Sequence, residues 1–362
     1  MKNSASSRPN SHSPMRMAAD ELALIMVRCE LMEEGEPFEI SSVEGGVSSN
    51  VWYIRTRSGR DMIAKRPLAR LNVEQEWLAD QRRSNFECMF LRDVRACVPE
   101  NVASVLAHDV ESHTLFIEYF PTQAFFNWRE EILAGRTHEE AGAGIGATLA
   151  KIHHYFAQNS DARERYDARD ILQGTRIDPY FDAITKRHPK LSKKIDKLRS
   201  QTLKADSVVI HGDVSPKNIL VAPNRQILLD AECACIGDPA FDPSFLLAQL
   251  LLKTLVVIER EKEIMAACQG FITSYFDGVI WEDKHSLEQR AIEYLGLFLL
   301  ARIDGKVPVP YIRDDNIKAL AREFGTNLLN LKDKKISDVL GSWSMMINEQ
   351  YANLESFRIS NT

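Results

Sequence analysis

The segment VVIHGDVSPKNILVAPNRQILLDAECACIGDPAFDP, residues 208–243, constrains the fold of this 362-residue chain more than any other part. Three short apolar runs, in VVIH, NILVA and QILLD, are separated by polar residues that include Asp213, Asn218 and Asp230. Short apolar runs bounded by turn residues are typical of buried β-strands. The segment therefore predicts three short strands, with two carboxylates and a carboxamide in polar loops at their ends.

The three polar side chains are hard oxygen ligands, which suit Mg²⁺ better than zinc or copper. Mg²⁺ takes few protein ligands and completes its shell with water and substrate phosphates. Asn218 follows Asp213 by five residues, and Asp230 follows Asn218 by twelve. This is the spacing of the kinase catalytic loop and its metal-binding aspartate. One of the three groups could instead stay free to accept a proton.

Net charge and cysteine content argue against several classes of protein. The formal charge of −6 provides no overall cationic field for nucleic acid or an anionic membrane. Six cysteines are too few for a disulfide scaffold of this length, and the pair Cys233 and Cys235 has no second pair at zinc-ligand spacing. Reduced thiols predict a cytoplasmic protein.

No segment predicts a membrane span. Residues 1–17 are polar, lack an apolar core and are predicted to form a disordered tail rather than a secretion signal. The longest apolar stretch, residues 245–258, contains Gln249 and Lys253 and is too short to cross a bilayer. We expect this stretch to form a buried helix.

The chain changes character near Phe120 and Pro121. Residues 18–120 contain strand-like runs around one charged helical stretch, and Ser58-Gly59 predicts a hairpin between two of these runs. Residues 121–362 are dominated by amphipathic helices. The sequence therefore predicts an α+β protein with a small antiparallel-sheet N-lobe, a large and mostly helical C-lobe, and a cleft between them.

A glycine loop, EGGVSSN, lies between the first two strand-like runs. Its candidate phosphate-binding residues are Gly45, Gly46, Ser48, Ser49 and Asn50. Glycines let backbone amides approach phosphate oxygens closely. The same pair of glycines is also compatible with an ordinary hairpin turn.

An ordered set of residues resembles the signature of the aminoglycoside phosphotransferase and choline kinase superfamily. The set comprises His211, Gly212, Asp213, Asn218, Asp230, Gly237, Asp238, Pro239 and Asp242. The stretch LLDAECACIGDPAFD is also similar to methylthioribose kinases, whose metal motif is D-x-E. The resemblance covers about residues 38–330 and implies a protein-kinase-like bilobal fold. It also implies an enzyme that uses ATP and Mg²⁺ to phosphorylate a hydroxyl of a small molecule.

The resemblance assigns roles to the residues of the opening segment. Asp213 is the expected catalytic base, which accepts the proton of the attacking hydroxyl. Asn218 and Asp230 are the expected metal ligands. Glu232, at the end of the D-x-E motif, is either a third ligand or a solvated neighbour.

The nucleotide site is expected to include Lys65, which would reach the α- and β-phosphates and pair with a helix glutamate. Glu87 is the preferred partner, with Glu74 and Glu76 as alternatives. The segment FIEYF, residues 116–120, resembles the hinge between the lobes. The backbone around Glu118 and Tyr119 is therefore expected to pair with adenine.

Two further motifs predict structural features. His211 is expected to brace the catalytic loop, and Asp242-Pro243 to cap a helix and hold it against that loop. The segment AGAGIGA, residues 141–147, matches a loose dinucleotide-binding pattern, but no strand precedes it. Its small residues instead predict close helix packing.

The helix end at Arg302 is the predicted acceptor side of the site. The corresponding place in methylthioribose kinases resembles a helix end with paired arginines that face the transferred phosphate. Here Ala301 precedes Arg302, so one arginine remains as a candidate catalytic residue. The alternative role for Arg302 is to complement the helix C-terminus.

The resulting functional prediction is a phosphotransferase whose small hydroxyl substrate is a sugar, amino alcohol, thio-sugar or aminoglycoside-like compound. The alternatives are a nucleotide-binding pseudokinase scaffold and a protein kinase. Ser215 stands where Ser/Thr kinases place a lysine, which argues against a protein kinase. The sequence leaves open the acceptor, the choice of ATP or GTP, and whether the protein is a monomer or a homodimer.

Overall fold

The computed structural model describes residues 14–43, 46–72 and 77–360. Gly45, Glu74 and Glu76 lie outside the described residues, as do residues 1–13 of the predicted tail. The structure therefore does not test the predictions made for these residues.

The N-terminal lobe is built on an antiparallel sheet with the strand order β1-β2-β3-β5-β4. The strands are β1 (Phe38–Ser42), β2 (Ser49–Thr56), β3 (Asp61–Pro67), β4 (Val105–Asp109) and β5 (Thr114–Glu118). Helix α1 (Pro14–Arg28) precedes the sheet, and α2 (Arg83–Val94) lies between β3 and β4. The predicted sheet-rich lobe with a single embedded helix is confirmed.

The two helices of this lobe cover opposite faces of the sheet. On β5, Phe116 packs in the cluster that contains Leu22 of α1, whereas Leu115 and Ile117 pack in the cluster that contains Phe90 of α2. Successive side chains of a strand point to opposite faces, which produces this division. The predicted hairpin is confirmed, since Gly59 turns between β2 and β3 with φ of +85°.

The C-terminal lobe is mostly helical. Its helices are α3 (Trp128–Leu133), α4 (Glu139–Gln158), α5 (Ser160–Glu164), α6 (Arg169–Leu172), α7 (Ala183–Arg187), α8 (Ser192–Lys204), α9 (Phe241–Thr254), α10 (Glu261–Gly278), α11 (Lys284–Asp304), α12 (Asp315–Leu328) and α13 (Ile336–Ser360). A π-helical segment, Gln173–Asp182, joins α6 to α7, and short 3₁₀ turns occupy Pro189–Leu191, Pro216–Asn218 and Ile258–Arg260.

Short strands interrupt these helices where the sequence predicts them. They are β6 (Phe126–Asn127), β7 (Val208–Ile210), β8 (Ile219–Ala222), β9 (Arg225–Leu228) and β10 (Cys235–Gly237). β7 pairs with β10, while β8 pairs with β6 and β9. The turn between β8 and β9 contains Asn224 with φ of +58°, a conformation that asparagine tolerates. The loops after β7 and β9 carry Asp213 and Asp230 respectively.

Helix α9 lies at the centre of the C-terminal lobe, and all of its residues are buried. The predicted buried helix over residues 245–258 is therefore confirmed as far as Thr254, where α9 ends. Within the described residues, no helix combines the length and the apolar content needed to cross a bilayer.

Two predicted boundaries differ from the structure. Helix α1 begins at Pro14, so the last four residues of the predicted tail are helical. Helix α9 begins at Phe241 with Ala240 as its N-cap, which places Asp242 inside the first turn rather than at the cap. The side chain of Asp242 accepts hydrogen bonds from the catalytic loop.

The small residues of α4 allow it to pack closely against α10. An added Cβ at Gly142 would lie 1.9 Å from the carbonyl oxygen of Ala267, and one at Gly146 would lie 2.4 Å from that of Phe271. The predicted close helix packing of this segment is confirmed.

Replacing Gly142 with alanine should lower the free energy of unfolding by about 1–3 kcal/mol, because the added methyl group overlaps the backbone of α10. Gly341→Ala in α13 is the matched control, since a Cβ there meets nothing within 4 Å. It should raise the free energy of unfolding by about 0.5–1 kcal/mol. Urea unfolding measures both variants, and equal stabilities would contradict the close approach of α4 and α10.

Candidate active site

The site centres on Lys65 of β3, which bridges the two lobes. Its Nζ lies 2.7 Å from Glu87 Oε2 of α2 and also contacts Asp230 Oδ1 in the loop after β9. Glu232 Oε2 lies 3.8 Å from the same nitrogen. Lys65 and Glu87 are buried, so the contacts form in an environment that screens charge poorly.

The charges in this cluster determine the protonation of its members. Burial alone would lower the pKa of Lys65, but the charges of Asp230 and Glu87 outweigh it and raise the pKa. Burial would raise the pKa of Asp230, but Lys65 and Lys217 outweigh that effect and lower the pKa. Burial raises the pKa of Glu87, with Lys65 opposing it. Lys65 and Asp230 are therefore both charged at neutral pH.

Asp230 occupies a strained backbone conformation, with φ of +66°. Aspartate enters the left-handed region more readily than most residues, yet such strain persists only where the surroundings hold it. Here the contact with Lys65 holds the side chain across the cleft.

Arg83 of α2 is a partner that the sequence analysis missed. Its side chain is fully buried, and its Nε donates to Glu232 Oε2 at 3.1 Å. It also donates to the carbonyl oxygens of Ser48 and Leu68. Ser49 Oγ donates to the same Glu232 oxygen at 3.3 Å. Glu232 is therefore a buried bridge between the lobes, which excludes the alternative of a solvated neighbour.

The catalytic loop gathers three nitrogen donors around one oxygen of Asp213. Asn218 Nδ2 donates to Asp213 Oδ2 at 2.9 Å, Arg176 Nη2 lies 2.9 Å from it, and Lys217 Nζ lies 3.0 Å from it. None of the hydrogen bonds or ion pairs among the described residues uses Oδ1 of Asp213. That oxygen remains available to accept a hydrogen bond from another molecule.

Two cations control the charge of Asp213. Burial raises its pKa, but Arg176 and Lys217 more than offset this effect, so the pKa lies below its usual range. Arg176 lies in the π-helical segment and also donates to the carbonyl of Gly212 at 2.8 Å. The sequence analysis missed both cations, although the lysine expected at Ser215 in a protein kinase has a counterpart in Lys217, two residues later.

A buried chain of hydrogen bonds supports this loop from below. Asp242 accepts from the backbone N–H groups of His211 at 2.7 Å and Gly212 at 2.9 Å. His153 Nε2 lies 3.2 Å from Asp242, and its Nδ1 lies 2.9 Å from the hydroxyl of Tyr275. The predicted role of Asp242 in holding α9 against the loop is therefore confirmed.

His211 and Gly212 both fix the backbone of the loop. His211 Nε2 lies 3.0 Å from the carbonyl oxygen of Leu229, and its Nδ1 accepts from the N–H of Asp213 at 3.3 Å. Gly212 has φ of +75°, and an added Cβ would lie 2.7 Å from the carbonyl oxygen of Cys233. The expectation that His211 braces the loop is confirmed.

The donor set fits a divalent cation that prefers oxygen. Carboxylate oxygens of Glu87, Asp230 and Glu232 all lie within 4.8 Å of one another. Among the residues that the structure describes, the hydrogen bonds of the Glu232 side chain use Oε2 and those of the Asn218 side chain use Nδ2. Oxygen atoms of both side chains therefore remain available as hard ligands.

The predicted glycine loop and hinge lie on the N-terminal lobe. Of the loop, Gly46 to Asn50 is described, with Ser49 buried at the start of β2 and Asn50 exposed beside it. Glu118 ends β5, and its carboxylate accepts from the backbone N–H and the hydroxyl of Ser104. The ring of Tyr119 packs 4.6 Å from that of Tyr53.

Arg302 is not joined to these groups. Its Nη1 donates to the carbonyl oxygen of Val307 at 2.7 Å, at the end of α11. No hydrogen bond or ion pair within the described ranges links it to Lys65, Asp213 or Asp230. This position agrees with the alternative role, in which the positive charge of Arg302 complements the C-terminus of α11.

Comparison with known proteins identifies the family of this chain. The sequence model of the phosphotransferase enzyme family matches residues 39–276, which is more than half of the chain. The chain belongs to this family. The expected superfamily is therefore confirmed, and the family match spans both lobes and every catalytic-loop residue discussed above.

Curated relatives of this phosphotransferase-family chain include methylthioribose kinases. The chain is 26 % identical to one from Bacillus cereus (strain AH820), over 53 % of this chain and 55 % of the relative. It is 24 % identical to one from Geobacillus kaustophilus (strain HTA426), over 66 % of this chain and 67 % of the relative. The match thus spans little more than half the length of the first relative.

A solved structure with a similar fold is a choline kinase from Cryptosporidium parvum Iowa II. The TM-score is 0.50 at 10 % identity, covering 92 % of this chain and 97 % of that one. The predicted protein-kinase-like fold, with an antiparallel-sheet N-lobe and a helical C-lobe, is confirmed.

Replacing Arg83 with methionine should lower the free energy of unfolding by about 3–5 kcal/mol, because Glu232 would lose the partner of its buried charge. Arg82→Met is the matched control. Arg82 is half-exposed and pairs with the exposed Asp80 and Asp170, so its loss should cost under about 1 kcal/mol. Urea unfolding without nucleotide measures both; similar losses would contradict a buried bridge at Glu232.

Proposed function

We propose that this protein transfers the γ-phosphoryl group of ATP, in a Mg²⁺-dependent reaction, to a hydroxyl of a small metabolite. The contact of Lys65 with both Glu87 and Asp230 carries this proposal, because it joins the N-terminal sheet to the loop after β9 across the cleft. Membership of the phosphotransferase family supports the reaction class. The methylthioribose kinase relatives favour a sugar or thio-sugar among the possible acceptors.

The nucleotide is proposed to bind between the N-terminal sheet and the loop after β9. Lys65, oriented by Glu87, neutralises charge on the α- and β-phosphates, and the backbone of the glycine loop covers the phosphates. The backbone at Glu118 and Tyr119 pairs with adenine. Mg²⁺, held by Asp230 and Asn218 with Glu232 as a third candidate ligand, would neutralise charge on the phosphates.

Asp213 is proposed to orient the acceptor hydroxyl and to accept its proton. Its Oδ2 is occupied by Asn218, Arg176 and Lys217, which leaves Oδ1 for the hydroxyl. A carboxylate of low pKa is a weak base, so positioning contributes more than early proton removal. This suits phosphoryl transfer, in which positioning and electrostatic stabilisation supply most of the rate. Lys217 is half-exposed, and its ammonium is proposed to stabilise the transferred phosphoryl group.

A small acceptor is favoured over a protein acceptor by the segment after Asp230. Residues 231–250 are all buried, so they offer no exposed loop on which a protein substrate could dock. A protein kinase would be expected to have such a loop between its metal-binding aspartate and the next helix.

Asp213→Asn should lower turnover by about 10²–10⁴-fold while leaving nucleotide affinity intact, because the amide cannot accept the proton. Asp196→Asn, at an exposed position of α8, is the control and should retain full turnover. ADP release with a panel of hydroxylated metabolites measures the effect. Since the pKa of Asp213 is low, wild-type turnover should not fall through its protonation above about pH 4. Unchanged turnover in Asp213→Asn would contradict the assignment.

Asp230→Asn should abolish the strengthening of ADP binding by Mg²⁺, because it removes a charged ligand from the proposed metal site. Calorimetric titration of ADP with and without Mg²⁺ measures this coupling, again with Asp196→Asn as the control. A pseudokinase scaffold would bind Mg-ATP but show no acceptor-dependent ADP release. Equal Mg²⁺ dependence in Asp230→Asn and wild type would contradict the metal assignment.

A further inference from the structure

Lys253 of α9 is a buried cation that the proposed chemistry does not use. Its side chain is 1 % exposed, and its Nζ donates to the carbonyl oxygen of Gln249 at 3.0 Å. The same nitrogen lies 5.3 Å from the centre of the Tyr311 ring. No carboxylate within the described ranges forms an ion pair with it. A buried ammonium without an anionic partner is costly for a fold, so its presence calls for an explanation.

The groups around Lys253 are also cationic or unpartnered. Burial and then the charges of Arg302 and Arg129 lower its pKa to about 7. Arg302 Nε and the hydroxyl of Tyr311 are buried and find no hydrogen-bond partner in the part of the chain that the structure describes. Arg129 forms an ion pair with the exposed carboxylate of Glu130, at 3.4 Å. We define Lys253, Arg302, Tyr311 and Arg129 as the cationic cluster.

Two elements that carry the cationic cluster also hold the catalytic loop. Asn127, at the N-cap of α3, donates to the carbonyl oxygen of Lys217 at 2.7 Å, and Arg129 follows in the first turn. Lys253 lies on the same face of α9 as Asp242, three helical turns further on. Because its Nζ reaches back to Gln249, the ammonium lies roughly 10 Å along the helix from Asp242.

We infer that the cationic cluster is an anion-binding subsite for the acceptor, so that the phosphorylated hydroxyl belongs to a molecule that also carries a carboxylate or phosphate group. The inference rests on the proposed function. The anion would supply the missing partner of Lys253 and accept hydrogen bonds from Arg302 Nε and Tyr311. Arg302, Tyr311 and Arg129 are only partly buried, so each of these residues retains some exposed surface beside the buried Lys253.

The first experiment compares acceptors that share a carbon skeleton and differ in charge: glucose, gluconate and a hexose phosphate. ADP release below pH 7, where Lys253 is protonated, should be stimulated by an anionic member and not by glucose. Lys253→Met should raise the KM of that anionic acceptor about 10- to 100-fold, through loss of a charged hydrogen bond. Its nucleotide affinity should not change. Lys262→Met, at an exposed position of α10, is the control and should keep the wild-type KM.

The second experiment measures thermal unfolding with gluconate or inorganic phosphate, in the presence of Mg-ADP. Either probe should raise the melting temperature of wild type and of Asp213→Asn, but not that of Lys253→Met. Without an anion, Lys253→Met should melt at or above the wild-type temperature, because methionine fills the same space without a buried charge. A lower melting temperature for Lys253→Met without an anion would indicate a merely structural lysine and overturn the inference.

The outcomes separate the two proposals. Acceptor-dependent ADP release confined to neutral or cationic compounds would overturn the anion subsite while supporting the phosphotransferase function. A second outcome is that anions raise the melting temperature of wild type but not of Lys253→Met, while no acceptor stimulates ADP release. This outcome would support the anion site and contradict the phosphotransferase function. A response to the hexose phosphate and not gluconate, or the reverse, would identify the anionic group.

Discussion

The buried contact of Lys65 with Glu87 and Asp230 is the interaction on which the rest of the site depends. A charge removed from water is tolerated only when opposite charges lie beside it. The sheet register that buries Lys65, the position of α2 that presents Glu87, and the strained backbone at Asp230 must therefore occur together. Glu232 and Arg83 add a second buried charge contact between the lobes.

Much of the fold could be predicted because its signals are local. The apolar runs of β7, β8 and β9 are short, bounded by turn residues and separated by polar groups, which fixes the positions of Asp213, Asn218 and Asp230. The apolar run of α9 and the small residues of α4 were predictable for the same reason. The contact of Lys65 with Glu87 spans the sheet and α2, and it was predicted only through the resemblance to kinases.

The remaining site residues could not be predicted because their roles depend on distant partners. Arg82 and Arg83 are adjacent and chemically identical, yet one is half-exposed and the other is fully buried against Glu232. Arg176 lies in an irregular segment whose sequence does not indicate that it meets Asp213. Arg302 was expected at the acceptor side of the site, and in the structure its Nη1 donates to the carbonyl oxygen of Val307 while its charge acts on Lys253.

The hydrogen-bonded chain from Tyr275 through His153 to Asp242 links α10, α4 and α9 to the backbone of the catalytic loop. Its members lie beneath the loop and are fully buried. In a screen of random substitutions scored by growth or turnover, these positions would be as sensitive to substitution as the residues of the cleft. Substitutions at Tyr275 would lower activity because they weaken the support of the catalytic-loop backbone, which Tyr275 does not contact directly. The positions that tolerate no substitution would therefore include residues far from any surface that a substrate can contact.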